Sequence, residues 1–359
     1  MTNARSYPLP GRLGNPDLVF KDDPRADPRL VAAMVAGGQG GKAPPSPVNA
    51  QTPIEGILQF LKAIDEGSVE HLAASVAMLP PMAGVTSTVE STRGPDGNTI
   101  NLHIHRPKDA SGPLPGVLHL HGGGMILLNA AGPLYMRWRD ELAHNRLVVI
   151  GVEFRNAAGT LGPYPFPAGL DDCTTALRWV AENKSRLGIS KVIISGDSGG
   201  ANLGLATAMK ALRDGRLGDF DGIYALCPYI SNAYATKPVE LPSLEENDGA
   251  FQDCEMVSAM AKAYDPTGAN ATNPLAWPYH ADLDDLRGLP PVVVSVNELD
   301  AFRDEGLAFY RKLMAAGVRA TSRTVNGTCH AAEINFIGVI TDVARATLRD
   351  IAGFCHSLT

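Results

Sequence analysis

The sequence predicts an α/β protein with a mostly parallel central sheet flanked by helices. From residue 116 onward, short apolar segments that favour strands alternate with longer segments of helical periodicity. This alternation is typical of a parallel sheet that is covered by helices on both faces. The predicted strands of this part are 116–120, 147–152, 192–195, 222–226 and 292–296, and the predicted helices between them include 171–186, 202–213 and 304–316.

Further elements are predicted at both ends of this region. Two strands at 85–92 and 99–106 are separated by Gly94-Pro95-Asp96-Gly97, which is a hairpin signal. A strand at 319–325 and a helix at 334–356 follow the alternating part. Before the first strand, helical spacing begins near Thr52 and recurs in a second stretch from Val69 to Met78, which Pro80-Pro81 ends.

Two segments are candidates for a helical cap over the sheet. Residues 1–84 form a predicted N-terminal arm with cap helices, and residues 85–359 form the predicted catalytic domain with a cap insertion around 230–275. Long insertions into compact domains are usually functional or disordered, which favours a cap over the alternative of surface decoration.

Composition and sequence patterns disfavour several classes of function. The net charge of -7 disfavours a nucleic-acid partner, because binding to phosphates needs clustered Lys and Arg. Residues 1–14 lack the apolar segment of a signal peptide, so no signal peptide is predicted. No apolar run approaches about 20 residues, so no membrane span is predicted.

The five cysteines are scattered along the chain, which fits a reducing cytoplasm. No CxxC or HExxH pattern supports a metal site. Homodimer formation is left open.

The strongest catalytic signal is Gly196-Asp197-Ser198-Gly199-Gly200, which fits the pattern G-x-S-x-G. It follows the apolar strand at 192–195 and precedes a helix, which is the context of a nucleophile elbow. The turn between strand and helix is so tight that side chains at Gly196 and Gly200 would clash. Ser198 is therefore the predicted nucleophile.

A second signal is His121-Gly122-Gly123-Gly124, which directly follows the strand at 116–120. Ester hydrolysis places negative charge on the carbonyl oxygen, and backbone N–H groups must already point at it. Glycines let the backbone approach the substrate without Cβ atoms in the way. His121 is predicted to hold this loop through its ring nitrogens, and the alternative is a flexible turn.

The general base is predicted to be His330, which lies in a polar loop after the last strand. In this architecture the base follows both the nucleophile and the acid along the chain. His280 breaks that order because it precedes the strand of the acid, and His356 lies in the C-terminal tail.

The acid that orients the base is predicted to be Asp300. It follows the strand at 292–296, at the carboxyl edge of the sheet where active sites of open α/β sheets lie. Glu298, Asp304 and Glu305 are the competitors, and the favourable charge at a helix N-terminus is the alternative explanation for them.

These motifs together resemble those of the hormone-sensitive-lipase-like family of α/β-hydrolases, over roughly residues 85–355. The run DAFRDEG at 300–306 is similar to the family signature D-P-L-R-D-E-G, with Ala in place of Pro. The run FRNA at 154–157, the Gly after Ser198 and the long N-terminal arm look most like the brefeldin A esterase branch. The resemblance implies an α/β-hydrolase fold and oxyanion donors at the N–H groups of Gly123, Gly124 and Gly199.

The chain departs from the family pattern at two places. The family usually has Ala after the nucleophile, where this chain has Gly199. The family usually has H-G-F at the general base, where this chain has His330-Ala331-Ala332.

The predicted function is that of a serine carboxylesterase that acts on a small-molecule ester with a short acyl chain and needs no cofactor. The apolar residues after the glycines, Met125 and Leu127 among them, predict a wall of the substrate pocket. An amidase or lactonase could use the same triad. A small-molecule receptor on an inactive hydrolase fold is the alternative from another class, but such a protein is expected to lack a triad member.

Overall fold

The protein, described from a computed structural model over residues 8–358, is built on one eight-stranded sheet. Residues 1–7 of the predicted N-terminal arm and residue 359 of the predicted catalytic domain lie outside the described residues. The strand order is β1-β2-β4-β3-β5-β6-β7-β8. All eight predicted strands are present, and the predicted α/β-hydrolase fold class is confirmed.

The elements of residues 8–358 alternate along the chain. The strands are β1 (Val85–Arg93), β2 (Thr99–Pro107), β3 (Leu114–Leu120), β4 (Val148–Val152), β5 (Ile189–Asp197), β6 (Gly222–Leu226), β7 (Val292–Asn297) and β8 (Ala320–Val325). The helices are α1 (Gly11–Gly14), α2 (Pro28–Ala36), α3 (Ile54–Ala77), α4 (Pro133–His144), α5 (Ala168–Asn183), α6 (Gly199–Arg213), α7 (Ser243–Glu246), α8 (Cys254–Tyr264), α9 (Leu283–Leu286), α10 (Arg303–Ala315), α11 (Ala332–Asn335) and α12 (Thr341–Ser357). None of these helices is both long and apolar enough to cross a bilayer.

The direction of the strands determines where the loops meet. β2 is antiparallel to β1 and β4, whereas β4, β3, β5, β6, β7 and β8 run parallel to one another. The carboxyl ends of β3, β5, β7 and β8 therefore share one edge of the sheet. The glycine run, Ser198, Asp300 and His330 each follow one of these four strands, so the topology gathers them at that edge.

Two helical regions differ from the sequence prediction. The two stretches predicted before β1 are one helix, α3, which continues through Gly67 and Ser68. A glycine in a helix costs about 1 kcal/mol, which the burial of Ile57 and Leu61 on α3 offsets. The single helix predicted at 334–356 is instead divided into α11 and α12, because the chain turns at 336–340 and buries Ile340.

The N-terminal arm packs against the loops that end β7 and β8. Phe20, Leu30 and Met34 form one buried cluster with Leu299, Cys329, Ala332 and Ile340. The arm is also bound to the insertion, since Arg25 pairs with Glu246 at 2.6 Å and Glu246 pairs with Arg303 at 2.7 Å. The arm therefore helps to hold the loops that carry Asp300 and His330 in place.

Candidate active site

Ser198 lies on a strained turn between β5 and α6. Its backbone has φ 55° and ψ -119°, an unfavourable conformation for a residue with a Cβ atom, and its N–H donates to the Leu226 carbonyl at 2.9 Å. A Cβ on Gly196 would lie 2.4 Å from the Gly200 backbone, and one on Gly200 would lie 2.0 Å from the Leu120 carbonyl oxygen. The predicted reason for both glycines, a clash across the tight turn, therefore holds. We call residues 196–200 the elbow.

The residue after Ser198 is packed directly against the glycine run. A Cβ on Gly199 would lie 2.5 Å from the Met125 nitrogen and 2.6 Å from the Gly124 Cα. The alanine that is usual in the family would not fit here without a shift of the backbone. Gly199 in place of that alanine thus lets the elbow pack directly against residues 121–124, the glycine loop.

The glycine loop is a tight turn that depends on its glycines. Gly123 and Gly124 have φ 99° and 67°, and the Gly123 carbonyl accepts from the N–H groups of Ile126 and Leu127. His121 Nδ1 is 2.8 Å from the Gly122 carbonyl oxygen, and its ring stacks on Phe154 at 4.1 Å. Burial lowers the pKa of His121 to about 4, so the ring is neutral and donates from Nδ1.

The predicted base and acid are hydrogen-bonded to each other. His330 Nδ1 is 2.8 Å from Asp300 Oδ2, and both side chains are buried. The other oxygen of Asp300 accepts from the N–H of Phe302 at 2.9 Å, and the ring of Phe302 packs edge-on against the imidazole. The Asp300 carboxylate and the His330 ring are therefore both held in fixed orientations.

Ser198 and His330 line the same cavity at the carboxyl edge of the sheet. Within residues 8–358 the Ser198 hydroxyl forms no hydrogen bond with the imidazole. Such bonds are often long in the free enzyme and tighten when substrate binds.

The competing carboxylates have other partners. Asp304 accepts from the Ser243 N–H at 2.7 Å and pairs with Arg303 at 2.9 Å, which ties the start of α10 to the insertion. Glu298 accepts from the Gly327 N–H at 2.8 Å, in the loop before His330. Neither carboxylate has a bond to the imidazole.

Glu305 is not simply a favourable charge at the start of α10, as its position in the sequence suggested. It is 1% exposed and accepts from the Ile230 N–H, the Ser231 hydroxyl and, at 3.0 Å, the Tyr234 hydroxyl. It thereby holds the chain that leaves β6 toward the insertion. Burial raises the pKa of Glu305 to about 8, with Asp300 as a smaller repulsive contribution.

Because burial raises the pKa of Glu305, we expect the protein to lose stability as pH rises. An acid whose pKa is higher in the folded protein than in the unfolded chain destabilises the fold as pH rises from the lower value toward the higher one. We expect the melting temperature to fall between about pH 5 and pH 9, and to fall less steeply in Glu305→Gln, which cannot ionise. Melting curves across this range measure it. The exposed Glu182→Gln is the matched control, and equal slopes in all three proteins would contradict the prediction.

The cavity around Ser198 has a volume of about 680 Å³, a size that suits small-molecule ligands. Its walls come from the glycine loop, residues 38–44 of the arm, one face of α3 with Ile64, Ser68, His71, Leu72 and Ser75, and the insertion at 249–260. The cavity reaches Leu127. It does not reach Met125, which is 1% exposed and packs into the main core. Of the two residues predicted to contact substrate, the fold therefore brings Leu127 to the cavity wall and leaves Met125 behind it.

One group of side chains in residues 8–358 has metal-ligating atoms close together. Cys227, Asp300 and His330 each offer one such atom, all within 4.8 Å of one another. His330 and Asp300 are already bonded to each other, and burial raises the pKa of the Cys227 thiol well above its usual range, so this ligand would be a thiol rather than a thiolate. The arrangement suits proton transfer better than metal binding.

Both the sequence and the fold of this chain are similar to those of known proteins. A family model described as alpha/beta hydrolase fold matches residues 117–334. Carboxylesterase NlhH of Mycobacterium tuberculosis is 32% identical over 277 residues, which cover 75% of this chain and 82% of that protein. Esterase LipI of the same species is 26% identical over 341 residues, which cover 93% of this chain and 96% of that protein.

Two solved structures are similar over nearly the whole chain. Brefeldin A esterase, described as a bacterial homologue of human hormone sensitive lipase, superposes with a TM-score of 0.94 at 43% identity, covering 97% of this chain and 98% of that one. Esterase Est22 superposes with a TM-score of 0.84 at 37% identity, covering 94% and 99%. The chain therefore belongs to the α/β-hydrolase family, within its hormone-sensitive-lipase-like group and close to brefeldin A esterase.

Proposed function

We propose that this chain hydrolyses carboxylic esters with short acyl groups through an acyl-enzyme on Ser198. Its family and its relatives, which are named as carboxylesterases and esterases, make it a carboxylic ester hydrolase. The roles of individual residues and the length of the acyl group are the proposal. The observation that carries it is the 2.8 Å bond between His330 and Asp300 at the wall of a cavity that also contains Ser198.

In the proposed mechanism, His330 Nε2 takes the proton of Ser198 as Oγ bonds to the ester carbonyl carbon. The N–H groups of Gly123, Gly124 and Gly199 stabilise the resulting oxyanion. The carbon–oxygen bond to the alcohol then breaks, and the alcohol leaves with the proton from His330. Water repeats the sequence on the acyl-enzyme and releases the acid, so no cofactor is required.

Labelling with a fluorophosphonate probe separates the esterase from the receptor alternative. The probe needs an activated serine, so covalent labelling that Ser198→Ala abolishes supports the proposal. An amidase or lactonase would label equally. Rates on an acetate ester, the matching anilide and a lactone distinguish these activities, and we propose that the ester reacts fastest.

We further propose that the arm and cap helices of residues 1–84 and the insertion around 230–275 form a cap on the catalytic domain of residues 85–359. Supporting this division, both segments contribute residues to the walls of the cavity around Ser198. The burial of Phe20 and Leu30 against the loops of β7 and β8 implies that the arm also supports the catalytic loops.

The acyl group is proposed to be short, about two to six carbons, because each added methylene must find room in the pocket. Side chains of the insertion and of the residue just before it close the space over the glycine loop. The Met260 Cε lies 2.5 Å, and the Tyr229 ring 3.7 Å, from the position that a Cβ on Gly124 would take. We expect kcat/KM on p-nitrophenyl esters to fall from butyrate to palmitate, and faster turnover of palmitate would contradict this.

A variant at Met260 tests whether this side chain sets the limit. Met260→Ala opens the space over Gly124, so we expect the ratio of rates on octanoate and acetate to rise about tenfold. Met314→Ala is the control, because Met314 is 46% exposed on α10 and does not line the cavity. An unchanged ratio in Met260→Ala would assign the limit to another wall.

We propose that the binding partner is a small-molecule ester. We also propose that the protein is cytoplasmic. The five buried free cysteines support a reducing compartment. We also propose a homodimer, supported by the position of β8 at the edge of the sheet, where its outer side pairs with no other strand of residues 8–358 and could pair with a second copy. Light scattering coupled to size-exclusion chromatography tests it.

A further inference from the structure

The side chain of Tyr135, on α4, lies between the glycine loop and the elbow. Its hydroxyl accepts a hydrogen bond from the Gly122 N–H at 2.9 Å and donates one to Asp197 Oδ2 at 3.1 Å. All three residues are buried. Two hydrogen bonds thus connect Asp197, which precedes Ser198, with the backbone of the glycine loop. This loop holds two of the proposed oxyanion donors.

The packing around this contact is close. A Cβ on Gly122 would lie 2.3 Å from Asp197 Oδ2 and 2.7 Å from the Tyr135 hydroxyl oxygen. Tyr135 and Asp197 also line the cavity that contains Ser198. The glycine at position 122 therefore allows the backbone to rest directly on this pair of side chains.

The surroundings fix the direction of both bonds. Burial raises the pKa of Tyr135 well above its usual range, and Asp197 raises it further, so the hydroxyl keeps its proton. The rings of His119 and His121 flank Tyr135 at 5.9 Å and 5.4 Å, and burial lowers the pKa of both, so neither is charged. The Gly122 N–H can only donate, so the Tyr135 hydroxyl accepts from it and directs its own proton at Asp197, whose pKa burial raises to about 7.

We propose that Tyr135 and Asp197 are positioning residues for the oxyanion hole. Asp197 orients the Tyr135 hydroxyl, and the hydroxyl holds Gly122 so that the N–H groups of Gly123 and Gly124 point at the carbonyl oxygen of the substrate. This inference rests on the proposed function of the glycine loop. It adds two side chains that act on the reaction through the backbone of that loop.

The expected consequence of losing the pair is a kinetic one. Without the hydroxyl, the buried Gly122 N–H has lost an acceptor, and a loop of three glycines can shift to find another. Oxyanion donors act through their geometry, and a misplacement of about 1 Å can cost about 10²-fold in rate. These donors bind the ground-state ester more weakly than they bind the transition state, so we expect the affinity for the ester to change little.

Variants of the two residues test the proposal with p-nitrophenyl acetate. We expect Tyr135→Phe and Asp197→Ala each to lower kcat about 10- to 100-fold, with KM changed by less than about threefold. The double variant should be no more than about threefold worse than the poorer single one, because both remove the same contact. Asp197→Asn should recover most of the activity, because its amide oxygen still accepts from Tyr135.

A transition-state analogue gives a readout that general damage to the fold would not reproduce. A trifluoromethyl ketone adds to Ser198 and places an oxyanion in the hole, so its Ki should rise by the same factor as kcat/KM falls. Tyr224→Phe is the matched control. It removes another buried tyrosine hydroxyl that donates to a carboxylate, that of Asp350, outside the cavity, and it should keep the activity of the parent protein.

The outcomes distinguish the proposed function from the positioning role of Tyr135 and Asp197. A parent protein that neither hydrolyses esters nor labels with a fluorophosphonate would overturn the proposed function itself. In an active parent protein, additive losses in the double variant or an unchanged Ki would overturn the positioning role alone. So would an Asp197→Asn variant as impaired as Asp197→Ala, since that substitution keeps the acceptor and removes only the charge.

Discussion

Ser198→Ala is expected to lose ester hydrolysis by a factor on the order of 10⁶ in turnover while the fold persists. The substitution removes one oxygen atom and keeps the Cβ, so the strained backbone at φ 55° is no worse accommodated than before. The Ser198 N–H still donates to Leu226. What disappears is the atom that forms the acyl-enzyme, and neither His330 nor the glycine loop can replace it. Turnover of p-nitrophenyl acetate, with melting temperature measured alongside, checks both halves of the expectation.

Ser195→Ala is a matched control for this variant. Ser195 lies on β5, three residues before the nucleophile, is 1% exposed, and its hydroxyl has no hydrogen-bond partner among the described residues. We expect activity within about threefold of the parent protein, as for a substitution that disturbs no bond. A folded Ser198→Ala protein that keeps even a tenth of the parent activity would refute the assignment of the nucleophile.

Much of the site was predictable because it depends on local sequence at strand ends. Each predicted site motif follows a strand, apolar in three cases of four, and parallel strands bring their carboxyl ends to one edge whatever the details of packing. The order of nucleophile, acid and base then restricted the choice among nine histidines and several carboxylates. The placement of Asp300 beside His330 agrees with that argument, and their catalytic roles remain to be measured.

The features of the fold and the site that the sequence did not predict depend on contacts between distant segments. Tyr135 meets Gly122 and Asp197 only because α4 packs behind the glycine loop, and nothing in the sequence around Tyr135 marks it. The burial of Glu305 likewise depends on where the insertion leaves β6. Periodicity also could not show that α3 continues through Gly67, since tertiary packing decides whether a helix tolerates a glycine.

The choice of Asp300 rather than Asp304 as the acid of the triad leads to a second prediction of large effect. In Asp300→Asn, the side-chain oxygen can still accept from the Phe302 N–H, which leaves the amide NH₂ facing His330 Nδ1. An NH₂ donor at that position requires Nδ1 to be unprotonated, so the proton moves to Nε2, the atom that should accept from Ser198. We expect a loss of about 10⁴-fold in turnover, because the imidazole is held in the wrong tautomer.

Asp304→Asn is the paired variant, since it makes the same chemical change four residues away. Asp304 binds the Ser243 N–H and Arg303, and an asparagine oxygen can keep one of these contacts. We expect turnover within about tenfold of the parent protein and a modest loss of stability, as for a partly exposed ion pair. Both variants are measured on one acetate ester, with melting curves to show that each is folded. If Asp304→Asn were the more damaging of the two, the bond between Asp300 and His330 would not be the one that orients the base. The path of residues 297–306 would then have to bring Asp304, and not Asp300, to the imidazole.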